Sequence, residues 1–102
     1  MTILDVDKFA AELPDETVSK IEEFANKLMT PKEIAVLLGI APAMMSMMIQ
    51  DDDNRVAIAY QRGKANRTLK LHEQELELAD SGSAQAIQNL HGFLNQMNSA
   101  EE

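Results

Sequence analysis

Residues Thr30 to Gln50, TPKEIAVLLGIAPAMMSMMIQ, constrain the fold more than any other stretch of the chain. Thr30-Pro31-Lys32-Glu33 is a helix start: the Thr hydroxyl caps, Pro fits the first helical position, and Glu33 reaches back to the Thr30 amide. Ile34, Ala35, Leu37 and Leu38 form the apolar set of that helix. Gly39 supplies the left-handed stop that a tight turn between helices needs. Ile40 plugs the angle between the two helices, and the small Ala35 suits a close crossing. Ala41 or Pro42 opens the second helix, with Met44, Met45, Met48 and Ile49 as its apolar face. A capped helix, a glycine turn and a second amphipathic helix make a helix-turn-helix shape, a device that often carries an exposed helix to DNA.

Helices are expected elsewhere as well. No run alternates apolar and polar residues as a half-buried strand does, and no Asn-Gly or Asp-Gly hairpin signal occurs. Thr2–Leu13 reads as a short helix carrying Leu4, Phe9 and Leu13, ended by Pro14. The next helix runs to about Met29 on a stripe of Val18, Ile21, Phe24, Ala25 and Leu28. A long helix spans Arg55 to about Ala79, capped by Asp52 or Asp53. Val56, Ala59, Tyr60, Leu69, His72, Leu76 and Ala79 share one side of it, and Gly63 is an imperfection or a kink. After the Asp80-Ser81-Gly82-Ser83 turn, Ser83 caps a last helix, Ala84–Met97, with Ile87, Leu90, Leu94 and Met97 inward. The expected fold is all-α: an N-terminal helical region with a trihelical helix-turn-helix (1–53), then a long helix and a C-terminal helix forming a hairpin suited to oligomerisation (54–97), then a frayed polar tail (98–102).

Composition narrows the function classes. The chain has 102 residues, 45% of them hydrophobic and only 4% aromatic, so its core is thin and packing against partner subunits would help it. Cys is absent, which excludes disulfides and thiolate metal sites and fits a reducing cytoplasm. No signal peptide is expected from the start MTILDVDKF, and no apolar run approaches the roughly 18 residues of a membrane span. There is no nucleophile elbow, phosphate loop or paired His, so no enzyme and no cofactor is expected. His72 and His91 are isolated, and Asp51-Asp52-Asp53-Asn54 lacks the alternation and the glycine of a calcium loop, so no metal is expected either.

The formal net charge is −8, unlike a dedicated nucleic-acid binder. The charge is not uniform. Asn54–His72 holds Arg55, Arg62, Lys64, Arg67 and Lys70 with no acid, between acidic flanks. These bases do not fall in one stripe. They read either as a solvated face paired with acids elsewhere or as a phosphate-facing surface, with Arg55, Arg62, Lys64 and Arg67 as its DNA-binding candidates. On the second helix of the turn motif the outward positions are Ala43, Ser46, Met47 and Gln50. Ser46 and Gln50 can hydrogen-bond base edges or phosphates; Ala43 and Met47 offer apolar contact. That helix has no Lys or Arg, and Asp51–Asp53 follow it, so it meets DNA only by entering with its N-terminal end.

Three pieces occur in order: the segment PKEIAVLLGIAPAMMSMMI, an acidic connector into AIAYQRGKANRTLKLHEQ, and ELADSGSAQAIQNLHGFL. This order resembles the small terminase subunits of tailed bacteriophages. It rests on Ala59, Tyr60 and Gly63, then Glu77, Leu78, Ala79, Gly82, Ser83 and Ala86, and it covers roughly Thr30 to Leu94. The resemblance implies a ring-forming DNA-recognition subunit, in the cytoplasm of a bacterial host, that hands double-stranded DNA to a large ATPase–nuclease terminase subunit. It implies DNA-facing roles for Ala43, Ser46, Met47 and Gln50, and a ring held by the helices from Arg55 to Met97. Two other readings stand beside it. One is a helical protein-interaction or scaffold module that does not bind DNA. The other is a helix-turn-helix transcription regulator, which requires a dimer and defined half-sites.

Overall fold

The computed structural model describes residues 5–101, and side chains through 99. Among the described residues the chain is all-helical: α1 (Val6–Glu12), α2 (Asp15–Asn26), α3 (Pro31–Leu38), α4 (Pro42–Gln50), α5 (Arg55–Asp80) and α6 (Ala84–Glu101). Thr2 and Leu4, expected in the first helix, lie outside the described residues. None of the helices is long and apolar enough to cross a membrane. Two compact units divide the chain, the first ending at Arg67 and the second beginning at Thr68. The boundary between these units falls inside α5.

In the first unit, α1 starts where the Asp5 carboxylate accepts the Lys8 amide. α2 closes three residues before the expected Met29. Its end is set by Met29 N–H donating to Phe24 O and Leu28 N–H to Ala25 O, with Leu28 at φ +62°. A leucine in the left-handed region costs about 1–2 kcal/mol. Its side chain leaves the expected stripe and is 58% exposed. The Thr30 capping box forms as read from the sequence: Thr30 N–H donates to Glu33 Oε1 at 2.9 Å, and Glu33 N–H donates to Thr30 Oγ1 at 3.2 Å. The Thr30 amide, and after it the Thr30 hydroxyl, hold the exposed Glu33 carboxyl below its usual range. Gly39 ends α3 at φ +71°.

The core of this unit gathers Ala10, Ile21, Ala25, Ile34, Ala35, Ile40, Met44, Met45, Met48, Val56 and Tyr60. Leu37, expected inside, is exposed beside Val36, because α3 buries only the face that carries Ile34 and Ala35. Gly63 marks a close approach of two helices. A Cβ there would stand 2.2 Å from Glu22 O and 2.8 Å from Ala25 Cβ, so its bare Cα is what lets α2 lie against α5.

The second unit pairs the end of α5 with α6. Gly82 turns the chain at φ +97°, and Ser83 Oγ accepts the Ala86 amide, as expected of a cap. Asn89 donates to Glu75 Oε2 at 3.1 Å, and His72 meets Phe93 with ring centroids 4.0 Å apart. Residue numbers fall along α5 as they rise along α6, so the two run antiparallel. The inner face of α6 is Ala86, Asn89, Leu90 and Phe93. Ile87, Leu94 and Met97 were expected inward and are exposed, as are Leu69 and Leu76 on α5. α6 also continues to Glu101, through the segment read as a tail.

Candidate nucleic-acid interface

α4 is pinned from below. Met44, Met45 and Met48 are buried, and α4 packs on both α3 and α1. Pro42 occupies its first turn, where a missing N–H costs nothing. The face this leaves in water holds Ala43, Ser46 and Gln50. Gln50 Nε2 donates to Ser46 Oγ at 3.3 Å, so the two polar groups sit one turn apart as a pre-formed pair. Met47 is not on that face as expected; it is half-buried and packed against the core, because 100° per residue turns it toward the flank of the methionine face.

Asn54 fixes the end of α4 and, in place of the expected Asp52 or Asp53, caps the start of α5. Its buried Nδ2 donates to Met48 O at 2.7 Å and Asp51 O at 2.8 Å, while its Oδ1 accepts the Ala57 amide at 2.9 Å. One amide thus closes α4 and opens α5. Asp51 and Asp53 lie near Asp7 of α1. A hydrogen bond with Asp51, then repulsion from it, pushes the Asp7 carboxyl above its usual range. This end of α4 is therefore an anion-repelling corner.

The basic residues of α5 are mostly occupied. Arg55 Nη1 donates to Ala11 O at 3.1 Å and Leu13 O at 2.8 Å, satisfying carbonyls at the end of α1, and its Nη2 binds the Asp15 carboxylate. Arg67 donates through Nε to Asn26 O at 2.6 Å and through Nη2 to Asn26 Oδ1 at 3.0 Å, capping the end of α2. Asn26 in turn donates to Gly63 O at 3.3 Å. Arg62 makes a 3.5 Å ion pair with Glu22 while most of its side chain stays in water. Lys64 lies 5.3 Å from the centroid of the Tyr60 ring, a cation–π contact with the ammonium exposed. Arg55 and Arg67 thus tie helix ends together, whereas Arg62 and Lys64 remain presentable to an anion.

Sequence reasoning missed Asn54 and Asn26. The signal for Asn54 was its place directly before a helix, a favoured capping position. Nothing local marked Asn26. Comparison with known proteins finds no matching family, no matching characterised protein and no matching solved structure.

Proposed function

We propose that the chain is a non-enzymatic DNA-recognition subunit of a phage- or prophage-type DNA-packaging machine, with α3, Gly39 and α4 as a helix-turn-helix unit arrayed on an oligomer. The observation that carries this reading is α4 itself: a helix clamped by three buried methionines, with Ser46 and Gln50 held ready on its outer face. The motif order that resembles small terminase subunits supports it, and by that resemblance the second partner is a large terminase subunit in a bacterial cytoplasm.

Binding by one copy is weak. Arg62 exchanges its exposed pair with Glu22 for a phosphate at small cost, since such pairs contribute about 0–1 kcal/mol. Lys64 adds a second positive charge, and the aspartates after α4 oppose close approach of the backbone at that end. Useful affinity then comes from more than one copy engaging one duplex. With few phosphates neutralised per copy, retention falls with salt more gently than for a basic regulator.

Light scattering on a sizing column at low salt, with and without a mixed DNA fragment, tests this. Co-elution with DNA that is weakened by Ser46→Ala with Gln50→Ala, and by Arg62→Ala with Lys64→Ala, is the expected result. No DNA retention in any oligomeric state overturns it. In that event the chain is a protein-interaction module, a reading favoured by Val36 and Leu37, which stand 66% and 60% exposed beside Met29 and Lys32 in an open apolar groove.

A further inference from the structure

The second unit leaves an apolar face uncovered. Among its described residues Ala86 alone is buried, and a pair of helices needs another layer against its apolar side. Leu69 and Leu76 on α5 are 57% and 49% exposed; Ile87 and Leu94 on α6 are 43% and 53% exposed.

These four side chains share one side of the pair. Glu75 and His72 mark the inner stripe of α5, and Ala86 and Phe93 that of α6. Leu76 follows Glu75, Ile87 follows Ala86, and Leu94 follows Phe93, each one residue on, a turn of about 100°. Between antiparallel helices the same rotation in the chain sense leads to the same side. Leu69 joins Leu76 because seven residues nearly close two turns. The levels also match. The contacts Glu75–Asn89 and His72–Phe93 set a ladder on which Leu76 stands level with Ile87, and Leu69 with Leu94. The result is two apolar rungs about 10.5 Å apart. On the opposite side α5 also exposes Leu71 and Leu78, but α6 shows Gln85, Gly92 and Gln96 there, so only the Leu69–Leu76 side is apolar on both helices.

We propose that this face is covered by the same face of a second copy, giving a two-fold, four-helix antiparallel bundle. Two features of the face select a second copy as occupant. A two-fold axis along the helices sets α5 of one copy on α6 of the other at unchanged level, so Leu76 meets Ile87 and Leu69 meets Leu94, completing both rungs. The same operation brings Glu73, exposed on the outer edge of α5, beside His91, exposed on the outer edge of the other copy's α6, twice per dimer. An acceptor thus faces a donor across each rim of the dimer. The proposal is independent of DNA binding.

Sedimentation and light scattering of the full chain without DNA test it. The expected result is two copies, a twofold fall in mass for Leu76→Glu with Leu94→Glu, and no change for Leu71→Glu with Leu78→Glu. Because the first variant can also lose helix, a second test uses the absence of cysteine from the chain. Glu73→Cys with His91→Cys should cross-link to a dimer on oxidation, while neither single variant does, since those positions sit on opposite outer edges within one copy. A single-copy chain at tens of micromolar, a mass unmoved by the Leu76 and Leu94 pair, no cross-link beyond the single variants, or a cross-linked ladder beyond two copies would each overturn it.

Discussion

The two units use the same material to opposite effect. Up to Arg67, helices bury Ile21, Ile34, Met45, Met48 and Val56 completely and lock their ends with side chains from distant positions. From Thr68 onward, leucines and isoleucine are as frequent but stand half in water. The difference lies in how many helices converge. Several short helices enclose a volume; two helices enclose a line. Apolar content alone therefore does not say which residues are inside.

Glycine gives the sharpest way to break the comparison, because each unit has one within a helix. Gly63→Ala should be the most damaging single-methyl change in the chain. Its Cβ meets the Glu22 carbonyl and the Ala25 side chain, and the backbone cannot yield cheaply, so unfolding by urea should show a loss of about 3 kcal/mol. Next in size is Asn54→Ala, which removes the α5 cap and strands two carbonyls; a loss of about 2–3 kcal/mol is expected in the same measurement. An Asn54→Asp variant should recover only part of it, since an aspartate keeps the acceptor and loses both donors.

Gly92→Ala reverses the sign. A Cβ there meets nothing, so the change should stabilise α6 by about 0.5–1 kcal/mol, read as raised helicity and a higher Tm. If Gly92→Ala destabilised as Gly63→Ala does, something would cover that side of α6.

The smallest effects separate two carboxyls of the first unit by pH. Asp7 sits above its ordinary 3.8 because of Asp51, so its repulsion weakens the fold at neutral pH and is relieved as pH falls through its raised value. Glu33 sits below its ordinary 4.5, so its contribution is present above that value and is lost as pH falls further. Tm should thus rise slightly on mild acidification and then fall. Asp7→Asn should raise Tm at pH 7 and flatten the first limb; Glu33→Gln should remove part of the second.

What the sequence disclosed follows the range of the interactions. The Thr30 capping box, the Gly39 stop and the Ser83 cap close within a few residues, and each was legible. The core positions Ile34, Ala35, Ile40, Met45 and Met48 were legible too, because a single stripe met a single neighbour. Arg55 and Arg67 were not, since their partners lie 40 or so residues away and a list of basic residues says nothing of which carbonyls they reach. Leu37, Ile87 and Leu94 were misplaced for a related reason. Periodicity finds the apolar side of a helix but not the number of helices available to cover it. At α4 the polar pair Ser46 and Gln50 could be placed outward, whereas Met47 turned to the flank of the core.

Asn54 has a mechanical meaning as well. With one planar amide bonded to the last carbonyls of α4 and the first turn of α5, the junction between them is a weld and not a hinge. A torque applied to the outer face of α4 is not absorbed in the connector. It is passed to the first turn of α5, which anchors α1 through Arg55. Whatever grips Ser46 and Gln50 therefore pulls on a rigid body, and the first unit should reorient as one piece when it is engaged.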